Sequence, residues 1–84
     1  MSYFIYEFYE KLEEVISKWS KEVGRPAAYR FNSENKEITI YTRCPGIFIG
    51  HAGETINKYK KELCEVLYAE NVSVKFIEID GVVA

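Results

Sequence analysis

The sequence predicts an α+β fold with the order α-β-β-α-α-β, in which helices cover one face of a three-stranded mixed sheet. Three observations lead there. An apolar stripe at helical spacing runs from Ser2 to Val23 and stops at Gly24 and Pro26. Two strand-like runs, 27–31 and 37–43, are separated only by the polar segment Asn32-Ser-Glu-Asn-Lys36. A second helical stripe, 55–69, leads through Glu70-Asn71 into a last strand-like run, 72–79.

In the first helix, Ile5, Phe8, Leu12, Val15, Ile16, Trp19 and Val23 recur at intervals of three and four and so share one face. Ser2 is placed to cap its start. Glu7–Lys11 and Glu14–Lys18 have the favourable i,i+4 order on the outer face. The short polar connection makes the first two strands an antiparallel hairpin. In the second strand, Ile38, Ile40 and Thr42 alternate with Thr39, Tyr41 and Arg43, which assigns one set to the core and the other to solvent. Cys44-Pro45-Gly46 ends that strand, and 47–50 is long enough for one helical turn. The second long helix carries Ile56, Tyr59, Leu63, Val66 and Leu67 on its inner stripe, and the last strand carries Val72, Val74 and Phe76 on one face. A strand–helix–helix–strand crossover lays the last strand parallel to the second.

At 84 residues, 48% of them hydrophobic and 15% aromatic, the chain suits one small domain, residues 1–84, with a packed core rather than a disordered segment. Met1-Ser2 runs into alternating aromatic and acidic residues, so no secretory leader is expected and the expected location is cytoplasmic. No apolar run is long enough to span a bilayer. Cys44 and Cys64 are too far apart for a paired zinc or redox motif, and His51 is the only histidine; no metal and no cofactor is expected. One cysteine is expected to be buried and the other half-buried. A net charge of −2 excludes coating of duplex nucleic acid through bulk charge but leaves room for a local basic face.

The densest chemistry lies in Pro45-Gly-Ile-Phe-Ile-Gly-His-Ala-Gly-Glu54. Gly50 and Gly53 form a Gly-x-x-Gly immediately before the second long helix. A helix start offers unpaired backbone N–H groups and the positive end of the helix dipole, and glycine lets another backbone approach closely. A phosphate backbone suits that geometry.

Order and motif together resemble a KH domain of the type II, prokaryotic topology, most like the one in a bacterial small-subunit ribosomal protein. There the pattern is a strand ending Arg-Pro-Gly, apolar residues, Ile-Gly, two variable and often basic residues, then Gly-Glu. Here it reads Arg43-Cys-Pro-Gly-Ile-Phe-Ile-Gly-His-Ala-Gly-Glu54. The resemblance implies binding of single-stranded RNA, or DNA, with the Gly-x-x-Gly loop clamping about four nucleotides of backbone. Carried over by position, Gly50, His51, Ala52 and Gly53 would line the phosphates. Ile47, Ile49 and Ile56 would form or support an apolar groove for the bases, and Arg43 and Lys60 would add charge. The chain departs from the pattern in its loop, where His51 and Ala52 bring no fixed positive charge, in Glu54, which repels a nearby phosphate, and in Cys44, which stands where arginine is expected. It also ends soon after the last strand, so a stand-alone domain with weak affinity is expected.

Lys58, Lys60 and Lys61, with Arg43, Arg30 and Lys75, could form a basic rim, although Lys58–Glu62 and Lys61–Glu65 have the spacing to neutralise each other. Cys44 and His51 lack a third orienting residue at a recognisable spacing, so no enzyme is expected. A rival reading rests on Tyr3 and Tyr6, off the apolar stripe, and on the apolar tail Val82-Val83-Ala84. These suit a KH-shaped protein–protein module or homodimer without nucleic-acid binding.

Overall fold

The computed structural model describes the backbone of residues 2–80 and the side chains of residues 7–80. The expectations for the side chains of Ser2, Tyr3, Ile5 and Tyr6 and for Val82-Val83-Ala84 lie outside the described residues.

Helix α1 spans Ser2–Val23, with the bounds its apolar stripe predicts. Leu12, Val15, Ile16 and Trp19 are buried and Phe8 and Val23 pack at the margin. Gly24 ends the helix with φ +72°, the left-handed conformation that glycine adopts without penalty, and its N–H donates to the Ser20 carbonyl at 2.9 Å. Strands β1 (Ala28–Asn32) and β2 (Glu37–Thr42) form the antiparallel hairpin. Asn32 Oδ1 accepts from the Glu34 N–H at 2.9 Å and turns the chain. Strand β3 (Ser73–Glu78) pairs parallel to β2. The sheet order is β1-β2-β3.

Between β2 and β3 lie helix α2 (Pro45–Ile49), a single 3-10 turn (His51–Gly53) and helix α3 (Glu54–Leu67). Helix α2 starts two residues earlier than expected, because Pro45 supplies a preset φ at its first position. Helix α3 stops before the expected Ala69. Tyr68 takes φ +50° there, and its N–H and that of Ala69 donate back to the last turn. No glycine marks that end, so the sequence carried no signal of it.

The core lies between the inner sheet face and the helices. Ile38, Ile40, Leu63, Phe48 and Val72 are fully buried. Trp19 stands at its centre, stacked on Tyr59 at 5.1 Å between ring centroids and edge-on to Phe76 at 6.0 Å. On the inner face of β2, Ile38, Ile40 and Thr42 are buried as the alternation requires. The outer face carries three cross-strand rows, Ala28–Tyr41–Ile77, Arg30–Thr39–Lys75 and Asn32–Glu37–Ser73; among the described residues no helix covers it, and its β1 and β3 members are exposed.

The ion pairs differ from those the helical spacing suggests. Lys58 pairs with Glu22, and Lys18 with Glu62, so both pairs cross from α1 to α3 instead of running along one helix. Cys44 and Cys64 are free thiols, and both are half-buried, which corrects the expectation that one would be fully buried. Among the described residues no group of three potential metal ligands occurs and no helix is long and apolar enough to cross a membrane.

Candidate nucleic-acid interface

The site is built outward from the end of β2. Thr42 is buried. Its Oγ1 accepts from the Cys44 N–H at 3.2 Å and donates to the Pro26 carbonyl at 3.4 Å. These bonds secure the bend through Arg43 that aims the chain into α2. Helix α2 is then anchored by its middle residue. Phe48 is buried with its ring 5.8 Å from that of Trp19, and its carbonyl accepts the buried Trp19 indole N–H at 3.1 Å. With Phe48 turned inward, its neighbours Ile47 and Ile49 face outward, 40% and 37% exposed. They give the surface beside the glycine loop an apolar character.

Gly50 makes the turn. Its φ of 80° and ψ of 172° fall in a region that only glycine occupies readily. A Cβ there would overlap the Thr55 side chain and come within 3.0 Å of the Thr55 backbone nitrogen. The Gly53 N–H donates to the Gly50 carbonyl at 3.2 Å and the Glu54 N–H to the His51 carbonyl. Ala52 and Gly53 both take left-handed angles, with φ of 54° and 75°. A left-handed Gly53 followed by a right-handed Glu54 is an alternation that turns successive N–H groups toward one point.

The outcome is a loop whose tip, His51 and Ala52, is exposed. Neither Gly50, ahead of the turn, nor Gly53, ahead of α3, has a side chain to cap the N–H groups that follow. Those groups sit at the start of α3, where the dipole favours negative charge.

The structure therefore brings Gly50, His51, Ala52 and Gly53 into one turn, with Ile47 and Ile49 before it. Ile56 is half-buried in the first turn of α3, and its Cγ2 lies 3.8 Å from where a Cβ of Gly53 would be. Arg43 is exposed in the bend before α2 and Lys60 half-buried along α3; neither forms an ion pair among the described residues. Glu54 is exposed at the first position of α3. Lys58 is committed elsewhere, to Glu22 at 2.5 Å and over the Tyr59 ring at 4.9 Å.

Sequence reasoning missed Phe48 and Trp19 as the residues that hold the loop in position. Phe48 lies between two isoleucines, and only the tertiary fold distinguishes which of the three turns inward. Tyr59 acts likewise on α3, its hydroxyl donating to Glu22 Oε1 at 2.6 Å. Burial and that carboxylate push the Tyr59 pKa well above the usual tyrosine value, while the Lys58 ammonium and the Tyr59 hydroxyl hold Glu22 below the usual carboxyl value.

Comparison with curated proteins returned no match, and neither did comparison with solved structures. A family model described as KH domain matches residues 7–82, nearly the whole chain and every element of the fold. The chain thus belongs to the KH domain family, whose modules are in general non-catalytic binders of nucleic acid.

Proposed function

We propose that this protein binds single-stranded nucleic acid, RNA in preference to DNA, through the loop Gly50–Gly53 and the apolar surface beside it, as a single domain of the type II arrangement. The observation that carries the reading is the exposed turn His51–Ala52, framed by two glycines that bring no capping side chain and set directly before α3. Phosphate oxygens accept from the N–H groups at the tip of this turn, whose path the backbone angles of Gly50 and Gly53 allow. Ile47, Ile49 and Ile56 take the bases and exclude water from them. Arg43 and Lys60 supply charge from the flanks.

The affinity is weak. The loop brings no lysine or arginine of its own, Glu54 stands next to it, and the whole chain carries a net charge of −2. RNA is favoured because a 2′-hydroxyl adds a donor and acceptor at each sugar. The location is cytoplasmic.

The test is a fluorescence-anisotropy titration with a random single-stranded RNA pool at low salt, repeated on the double variant His51→Asp/Ala52→Asp. Aspartate is among the residues that tolerate a left-handed backbone, so the variant keeps its fold while placing two negative charges at the amides. Binding by the native protein that disappears in the folded variant supports the clamp. Equal binding by both refutes it. Absence of binding by either, together with concentration-dependent sedimentation, would favour the protein-interaction reading.

A further inference from the structure

The outer face of the sheet carries chemistry that the loop does not use. At one end of it, where β1 begins and β2 ends, lies an open cleft of about 650 Å³. Its floor includes Pro26, Ala28, Tyr41 and Ile79, and its rim carries Arg25 and Arg43. Among the described residues no carboxylate lines it, and neither arginine forms an ion pair. Arg25 spends one N–H on the Gly24 carbonyl at 3.1 Å, which leaves the rest of its fork available. Tyr41 is half-buried and on the outer face, opposite Ala28 and Ile77. The next cross-strand row holds two exposed cations, Arg30 and Lys75, on either side of Thr39. The helical side differs, for there Lys18 and Lys58 are neutralised by Glu62 and Glu22. The net negative charge of the chain thus conceals a sheet face on which Arg30 and Lys75, with Arg25 and Arg43 at the cleft, outnumber the one carboxylate of its cross-strand rows, Glu37.

We propose that this cleft is a second contact for single-stranded nucleic acid, in which one unstacked base lies on Tyr41 and its phosphate sits between Arg25 and Arg43. The strand then continues across the sheet over Arg30 and Lys75. An aromatic floor with a cationic rim is the arrangement that holds single strands without reading sequence, and charge complementarity selects a polyanion over an apolar partner. Arg43 sits between this cleft and α2, so one strand can lead from the loop to the sheet face. The inference rests on nucleic acid being the ligand class but not on the loop acting as a clamp.

Two measurements on the full chain test it. The first is an amide and aromatic NMR titration with adenosine 5′-monophosphate. Shifts at Ala28, Tyr41 and Arg43 and at the Tyr41 ring are expected; shifts confined to residues 50–53, or none, would overturn the proposal whatever the loop does. The second compares four- and twelve-nucleotide single-stranded RNAs. Tyr41→Thr and Arg25→Gln should each weaken the twelve-mer by roughly tenfold, the scale of one lost base stack or charged contact, and leave the four-mer unchanged where the loop holds it. Tyr41→Phe keeps the ring and should bind as the native protein does. A twelve-mer affinity untouched by Tyr41→Thr and Arg25→Gln, even with monophosphate shifts present, would make the cleft a free-nucleotide site and refute the strand contact. Equal losses in Tyr41→Phe and Tyr41→Thr would refute stacking. His51→Asp/Ala52→Asp reports on the loop alone, so failure there leaves the monophosphate result standing.

Discussion

Replacing Gly50 by alanine separates the two demands that the loop makes on its glycines. At Gly50, φ 80° and ψ 172° place a side chain in a region whose occupation costs about 1–3 kcal/mol. In addition, the new Cβ would lie 2.8 Å from the Thr55 Cβ and 3.0 Å from the Thr55 nitrogen. The nitrogen belongs to the first turn of α3, so the overlap is relieved only by moving the helix start, at about 1–3 kcal/mol for forced overpacking. Together these give a loss of about 2–6 kcal/mol. For 84 residues at ~0.05–0.15 kcal/mol each, the whole stability is about 4–12 kcal/mol, so the loss is a large fraction of it. Gly53 is the control. Its φ is 75° as well, but a Cβ there meets nothing closer than Asn57 Nδ2 at 3.7 Å. Gly53→Ala should therefore cost only about 1 kcal/mol, the left-handed penalty alone. Urea unfolding followed by the fluorescence of buried Trp19 reads both. With a slope near 1 kcal/mol per molar for a small protein, Gly50→Ala should lower the midpoint by about 2–6 M and Gly53→Ala by about 1 M. A Gly50→Ala loss below about 1 kcal/mol, or a Gly53→Ala loss as large as that of Gly50→Ala, would refute the argument that the Gly50 site is closed to a side chain.

Trp19→Phe removes the donor to the Phe48 carbonyl at 3.1 Å and leaves that buried acceptor unsatisfied; a loss of about 2–4 kcal/mol is expected by urea unfolding with circular dichroism, and a loss below 1 kcal/mol would mean that α2 is not anchored there. Glu22 has its pKa lowered by the Lys58 ammonium and then the Tyr59 hydroxyl, so its stabilisation is complete above the ordinary carboxyl value of 4.5 and is lost as pH falls through the lower folded value. The stability gap between the native protein and Glu22→Gln should hold steady from pH 7 to about 5.5 and close toward pH 3; a gap equal at pH 7 and pH 3 would contradict this. The variant His51→Lys/Ala52→Lys adds up to two phosphate contacts, so RNA binding should tighten and its log–log salt slope steepen by up to about 1.4, at ~0.7 per contact for single strands. An unchanged slope would mean that no phosphate lies against the loop.

Much of the fold was legible because its signals are local. The α1 stripe with its Gly24-Pro26 stop, the alternation of Ile38, Ile40 and Thr42 in β2 and the polar turn between β1 and β2 each follow from residue spacing and turn chemistry. The parallel placement of β3 followed from the length of the crossover. The Gly-x-x-Gly before α3 was legible as a motif, since glycines ahead of a helix start leave few other readings. The end of α3 was not, because Tyr68 does there what glycine usually does. The ion pairs were not, because Lys58 and Glu62 each have a neighbour on their own helix and a partner across on α1, and only packing decides between them.

What the sequence determined by itself is thus the order of elements, the inner face of each and the position of the glycine loop, all consequences of local periodicity and backbone permissiveness. The tertiary structure decided what that loop presents. Trp19, far along the chain in α1, draws Phe48 inward through a hydrogen bond and a ring contact, and this turns Ile47 and Ile49 out beside the exposed tip of the loop. It likewise assembled Arg25, Tyr41 and Arg43 around one cleft from three places in the chain. Such convergence depends on how separate elements pack, and no spacing within one element encodes it.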